Sequence, residues 1–521
     1  MFQSSLMPPT ERGILPVRSI AAAGLSIGIA GDLLLRNSTG PGLNLLLLFT
    51  LLALAMAFVS RASGVSWSLE SRVSLAVGLL FAAGLATRSS PALQMLAFFG
   101  AAAAFAFPAL HAGRGWLLKS GIGQQVEAIV CAGIHSGLGA MRLVLLSFSR
   151  ETPDPSAASG RRHVFGLLRG LFMAVPFLLV FGALFMSADR VFARMVTDLV
   201  TVDIEEIVSH VVPIVVLSWL TCGFLTGLLT GTHAGLPGGA SLNRPSIGIL
   251  EAGTLLALVD LLFAAFVSVQ FRYLFGGSAL VEVTPGLTYA EYAREGFAQL
   301  AVASALVLPS LLLLDWLVLR HRRRDEWTFR ILGGTQLLLL LVIVASAFQR
   351  LRSYQDAYGL TESRFYGAVF LTWLTLLTVW FALTVLNGRR RRFAFPALTS
   401  AYVVVALLFV LNPAGYIARV NLERASIAQD PIPASSEDTG TPGEVDIDYL
   451  ASLGADAVPT LLEGLTLLSG ERRCELAEHL VERWGPDRQS DWRAWTWSHD
   501  RAGRSVGSGR LRALMNENGC T

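Results

Sequence analysis

The chain has 521 residues, 53% of them hydrophobic and only 15% charged, with a mean hydropathy of +0.55 and a formal net charge of +3. A soluble domain carries about 25% charged residues, so the composition excludes an ordinary water-soluble globule, and the small net charge does not imply a nucleic-acid partner, so none is expected. Lys119 is the only lysine, which excludes a Gly-Lys-Ser/Thr phosphate loop, and four scattered cysteines without a CxxC pair argue against structural zinc.

Apolar runs of roughly 18 to 24 residues, long enough to cross about 30 Å of hydrocarbon as a helix, recur along the sequence. Residues 1–120 hold four of them, at 17–35, 43–60, 73–87 and 91–110. The first reads as a retained signal anchor, because no small-residue cleavage site follows it. Residues 121–163 form a connector. Within it, 126–148 is interrupted by Glu127, His135 and Arg142 and reads as an interfacial amphipathic helix rather than a further span. Seven more runs lie within 164–411, at 164–186, 208–230, 250–271, 296–319, 331–348, 365–386 and 393–411. The expected fold class is all-α: a polytopic transmembrane bundle of about eleven spans with a small helical tail at 412–521.

Short loops set the orientation. Arginine clusters in RHRRRDEWTFR (320–330) and GRRRR (388–392) belong on the cytoplasmic side, and the intervening loops are acidic or balanced. The count then puts the N-terminus in the cytoplasm and the C-terminus outside a bacterial cell membrane.

Two features inside spans stand out. Gly223, Gly227, Gly231 and Gly235 lie four apart on one helix face, where a second backbone can approach closely. They read as a packing seam within the bundle, with a homodimer seam or a sliding surface left open. Asp260 falls mid-span, where an aspartate costs on the order of 3 kcal/mol on insertion scales and therefore faces a partner or water. A proton- or cation-coupling site and a protonated carboxyl bonded to a neighbouring helix both remain open. Asp32 sits near one end of the first span, and Asp315 lies near the arginines that follow it.

The stretch FRYLFGGSALVEVTPGLTYAEYAREGF (271–297) places Arg272, Tyr273, Tyr289, Tyr292, Arg294 and Glu295 between two apolar runs. By the span count, Asp189 in SADRVF and Arg350, Arg352, Tyr358 and Arg364 in QRLRSYQDAYGLTESRF reach the same side. Tyrosines there suit the aromatic belt, so a solvated helix end is the plain reading. Converging arginines also suit an anionic group, such as a lipid headgroup or cell-wall precursor.

In the tail, Asn412-Pro413 suits a helix end followed by proline at the next first turn. Residues 426–444 read as a linker. DIDYLASLGADAVPTLLEGL looks like half of a HEAT-type pair, which cannot bury its own apolar face. It is therefore expected to pack on its neighbours or on the membrane domain, with Trp484, Trp492, Trp495 and Trp497 as contacts. Cys474 and Cys520 are a candidate disulfide pair for an external tail. GLSIG (24–28) and GRSVG (503–507) match a nucleophile-elbow pattern by chance: the first lies in an apolar helix, and no histidine follows the second.

SADRVF, QFRYLFGG, LTYAEYAREGF, YGLTESRFY, NPAGYIARVNLER and DIDYLASLGADAVPTLL, in that order, resemble a bacterial family of multi-pass membrane proteins catalogued as domain of unknown function 4153/4173. The resemblance runs from the fifth span to about residue 465. It implies a many-helix membrane protein and supplies no catalytic residue. Together these observations point to a non-enzymatic protein without cofactor or metal, whose outer patch and tail bind an envelope component or partner as a sensor or assembly factor. A secondary transporter using Asp260 is the alternative. A lipid or glycan transferase using Asp189 or Glu295 is the third.

Overall fold

The computed structural model describes residues 16–111, 120–149, 184–199, 204–230, 247–276, 297–427 except 321, 446–485 except 469, 491–509, and scattered positions in 170–182 and 511–515. All regular structure among them is helical. Among the described residues, ten helices are long and apolar enough to cross a membrane, so the protein is a multi-pass membrane protein. The first four are α1 (Val17–Leu35), α2 (Leu43–Ala62), α3 (Leu69–Thr87) and α4 (Pro91–His111). The next two helices, α5 (Ile122–Ser149) and α6 (Arg190–Leu199), fall outside that class. Six more spans follow: α7 (Ile204–Thr230), α8 (Ile249–Gly276), α9 (Phe297–Leu317), α10 (Arg323–Tyr358), α11 (Glu362–Thr384) and α12 (Arg391–Leu411). The run expected to span at 164–186 lies almost wholly outside the described residues.

These helices leave apolar side chains uncovered. Leu258, Leu261 and Leu262 of α8 are each more than 60% exposed, an arrangement suited to lipid as the solvent. Helix formation satisfies most backbone groups inside the spans, internal prolines such as Pro213, Pro309 and Pro396 excepted, and the helix ends find local partners. The Ser68 hydroxyl accepts from Ser71 N to open α3. Asp325 Oδ2 accepts from Arg322 N at the start of α10. Asn412, left-handed at φ 51°, closes α12 immediately before Pro413.

The chain forms two compact units. The first comprises residues 1–37, 51–66 and 132–230. Here α1 and α7 run antiparallel, and Gly24, Gly28 and Gly31 of α1 lie against Cys222, Ser218 and Leu217 of α7. The GLSIG stretch thus serves close helix packing, which dispersion favours in lipid. Asp32, 4% exposed, pairs with His210 Nδ1 at 2.6 Å. Gly223 meets the backbone of Gly139 and the carbonyls of His135 and Ser136 on α5; Gly227 meets the His135 side chain, and Trp219 Nε1 donates to Gly137 O at 2.8 Å. Two turns of α7 therefore touch a single turn of α5, so the helices cross rather than run alongside. Gly231 and Gly235 lie outside the described residues.

The second unit comprises residues 38–50, 67–131 and 231–521. Its core gathers around α10, with Leu256 of α8, Leu311 of α9, Leu340 of α10 and Leu371 and Phe381 of α11 buried together. At one end of this bundle Asp315 is buried between Arg320 and Arg390, at 2.5 and 2.6 Å. The α3–α4 pair packs beside α12: Phe81 meets Tyr402 edge-on, and Tyr402 Oη donates to Gly100 O.

The remaining helices are α13 (Pro413–Ile427), α14 (Ile447–Ser452), α15 (Val458–Gly464), α16 (Gly470–Trp484) and α17 (Trp497–Gly507). They share a second core in which Ile417 and Leu422 of α13 meet Leu450, Leu461, Leu476 and Leu480. The apolar face that the HEAT-like unit cannot bury alone is covered in this way. Trp484 stacks on His499 within the tail, whereas Trp495 O accepts from Leu43 N at the start of α2. Cys474 is disulfide-bonded to a partner outside the described residues, where Cys520 also lies.

Candidate functional site

The most developed polar site of the second unit lies where its tail meets its spans, and it begins with an exposed-looking turn. α3 ends at Thr87, with Arg88 N donating back to Gly84 O, and α4 starts with Pro91, so the N–H groups of Ser89 and Ser90 in the reversing turn need partners outside the helices. Asp456, from the GADAVP turn between α14 and α15, supplies the missing acceptor. Its Oδ2 accepts from Ser89 N at 2.8 Å, Ser90 N at 3.0 Å and Ser89 Oγ at 3.0 Å, while Oδ1 takes Arg88 Nη1 at 3.3 Å. A carboxylate from the tail thus caps the N-terminus of α4, where the helix dipole favours negative charge. Arg88 is held in turn by Phe409 O in the last turn of α12. Asp456 O accepts from Asn412 Nδ2 at 2.9 Å, so the turn is tied to the end of α12 as well.

A second clasp lies beside it. Asn421 of α13 donates through Nδ2 to Leu360 O at 2.8 Å and accepts at Oδ1 from Leu360 N at 2.9 Å. The side-chain amide so replaces a backbone partner for the loop between α10 and α11. Gly359 has φ 76°, and a Cβ there would meet Asn421 Oδ1, so both backbone freedom and missing bulk are required. Arg424 Nη1 caps the other side of this loop by donating to Gln355 O at 2.6 Å. Tyr449 Oη accepts from Glu362 N at 2.8 Å, and Ser90 Oγ lies within 3.4 Å of both Glu362 Oε1 and Tyr366 Oη. Burial pushes the Tyr449 phenol up to about 12, so it is neutral in ordinary buffers. With four hydrogen bonds donated to it from Arg88, Ser89 and Ser90, the Asp456 carboxylate ties the tail to the α3–α4 turn.

The helix ends flanking this loop carry the described part of the Arg/Tyr patch. The Tyr354 and Tyr358 rings lie 5.1 Å apart and tilted by 59°, and the Arg364 guanidinium lies 3.9 Å from the Tyr354 ring centre while donating to Tyr358 O and Gly359 O. Tyr358 is 42% exposed and Arg352 is exposed. Arg350 donates to Gln270 Oε1 at 2.6 Å, one bond of a part-buried network with Ser346. Arg272 and Tyr273 lie in the last turn of α8, and nothing further is described of their side chains. Tyr289, Tyr292, Arg294 and Glu295 lie outside the described residues. Asp189, exposed in the first unit, accepts from Val191 N and Phe192 N at the start of α6. Asp260 is buried in the bundle, away from this surface, with both oxygens unpartnered.

The model of the family described as Domain of unknown function (DUF4153) matches residues 75–464. The chain belongs to this family. Its DUF4153 segment opens in α3 and closes in α15, so Arg88 and Asp456, the two ends of the junction, are both inside it. Neither a curated protein nor a solved structure matches the chain.

Sequence reasoning singled out YGLTESRFY, NPAGYIARVNLER and DIDYLASLGADAVPTLL but gave no role to Asn421, Asp456 or Tyr449 within them. The structure brings all three segments together. Arg88 carried no such signal.

Proposed function

We propose that this DUF4153 protein is a non-enzymatic binding component of a bacterial cell membrane, acting as a sensor or assembly factor on the outer side. The observation that carries this reading is the corner where α10 passes into α11, residues 352–366. It holds the tail through Leu360 and Glu362, and it displays the Tyr354–Tyr358–Arg364 cluster beside the exposed Arg352. A ligand that reorders this cluster would therefore bear directly on how the tail sits. Arginine forks and exposed aromatic faces suit an anionic lipid headgroup, a cell-wall precursor or an acidic segment of an envelope protein. The disulfide at Cys474 supports an oxidising compartment for the tail.

The test uses Arg352→Ala and Tyr358→Ala together in the full chain, leaving Arg364 to its structural bonds. The expected outcome is loss of complementation of a deletion strain with normal accumulation in the membrane. Full complementation would end this reading. A cysteine at Tyr358 should also label with an impermeant thiol reagent in intact spheroplasts; labelling only after lysis would move the patch to the cytoplasmic side.

A further inference from the structure

The bundle of the second unit hides a polar layer that the junction does not use. The candidate span in α8 runs Ile249–Gln270, which places Asp260 at its centre. Asp260 is 7% exposed, and neither carboxylate oxygen has a hydrogen-bond partner. It lies on the buried stripe of Ala252, Leu256, Val267 and Gln270, all turned inward.

The register against α10 can be read from two contacts. Gly253 lies against Thr328 and Leu332, and Gln270 Oε1 accepts from Ser346 and Arg350. The helices therefore run parallel and in step, which sets Asp260 level with residues 336–339. Gln336 is one turn beyond Leu332 on the stripe that continues to Ser346 and Arg350. It is 2% exposed, and its Oε1 is also unpartnered.

Two further groups fall at this height. Leu311 and Leu386 both approach Gly333, and α9 and α11 run antiparallel to α10. Ser304 of α9 and Trp380 of α11 are thereby brought to about the level of residues 339–340. Ser304 Oγ and Trp380 Nε1 are buried without partners too. By contrast, Thr375 and Thr378 on α11 bond back to their own helix. Among the described residues of this bundle, the unpartnered atoms of Asp260, Gln336, Ser304 and Trp380 thus share one depth, around the central carboxylate, while Arg320 Nε and Arg330 Nε are unpartnered at its end.

A buried polar atom without a partner is costly, and an ionised carboxylate far more so. The facing acceptors are the two Asp260 oxygens and the Gln336 carbonyl, with the Ser304 hydroxyl at the same depth. One negative charge and neutral oxygens fit a single small, hard monovalent cation, whereas a divalent ion would call for more carboxylates. Charged groups on the packed helices stand at the ends: Arg350 on Gln270, Glu326 with Arg330, and Asp315 with Arg320 and Arg390. Glu251 lies two turns before Asp260 on α8, where it accepts from Gly248 N. No ionisable side chain lies in 298–314 or 331–349, and Tyr366 is the only one in 365–384.

We propose that Asp260 and Gln336 form an intramembrane site for one exchangeable monovalent cation, a proton or a sodium ion. The site stands independently of the outer surface proposed above.

The test is carbodiimide labelling of the full chain in nanodiscs, read by peptide mass, because the reagent modifies protonated carboxyls in apolar surroundings. Asp260 should label, and labelling should fall as pH rises between about 5 and 9. Protection by sodium chloride but not choline chloride identifies sodium; dependence on pH alone identifies the proton. Gln336→Leu should shift the midpoint by about one pH unit or abolish sodium protection. Asp260→Asn should lose the label while remaining monodisperse. An Asp260 that never labels, or that labels equally at every pH and in every salt, overturns the proposal.

Discussion

Asn421 closes both hydrogen bonds of its amide on the backbone of Leu360, a residue 61 positions earlier in the chain. Both residues are buried, so the pair substitutes for water on one N–H and one C=O. Around it, Gly359 must be left-handed and unbranched, and Arg424 must reach Gln355. The tail is consequently fixed by side chain to backbone bonds more than by ion pairs, which makes the junction insensitive to salt and sensitive to shape.

Replacing Asn421 by Ala strands both Leu360 groups. Each buried orphan costs about 1–3 kcal/mol, so the docked tail should lose about 2–5 kcal/mol. Hydrogen exchange over 446–467 should accelerate, whereas the core of α10 around Leu340 should be unchanged. Asn421→Asp should be nearly as harmful, since it keeps the acceptor but presents a second acceptor to Leu360 O. Equal exchange in the wild type and both variants would show that the clasp is dispensable.

Arg88 and Asp456 give a sharper case. The Asp456 side chain is 1% exposed and that of Arg88 14%, so removing one partner leaves the other buried. Arg88→Met should cost about 3–5 kcal/mol, the usual range for a broken buried pair. Asp456→Asn should cost less, because its remaining oxygen still accepts from Ser89 or Ser90 N–H. A double-mutant cycle in detergent, read by thermal unfolding, measures the coupling. A coupling near zero would place the cost in the α4 cap instead.

The spans were legible because hydrocarbon imposes a length on apolar runs, and that length survives in the sequence. Their ends were less so. α10 was expected at 331–348 but runs from Arg323 to Tyr358. The additional turns, RRDEWTFR and QRLRSYQDAY, are polar, and hydropathy reports lipid exposure rather than helix continuity. The junction was illegible for a different reason. Arg88 meets Asp456 across 368 positions, and the Asn421 clasp uses backbone atoms, which every residue has. Periodicity carries no trace of such contacts. The Gly-rich face of α1 was readable in principle, since Gly24, Gly28 and Gly31 recur at helical spacing, but that spacing does not say which helix packs against them.

That α1 face makes its own prediction. Gly28 lies against Ser218 and the carbonyl of Ile214, so any side chain must push α7 away. Gly28→Leu should separate the helices and with them the Asp32–His210 pair. Overpacking of this kind costs about 1–3 kcal/mol. The measurement is thermal stability of the purified chain, with Leu25→Ala on the exposed side of α1 as control. Comparable loss in both would mean that the seam is not tightly packed.

Tyr449 yields a pH dependence with a definite sign. Its phenol titrates near 12 when docked, against about 10 in an unfolded chain. Below about 10 the phenol is neutral in both states and its contribution is complete. Between about 10 and 12 the undocked tail loses a proton that the docked tail keeps, so docking weakens as pH rises. Tyr449→Phe should remove this component of the alkaline slope. At neutral pH it should cost only about 1 kcal/mol, because the Glu362 N–H it leaves free lies at the start of α11, where such groups often find water. Hydrogen exchange at residues 358–366, followed across the alkaline range in wild type and variant, separates the two effects. An unchanged alkaline slope in Tyr449→Phe would assign the titration to another group.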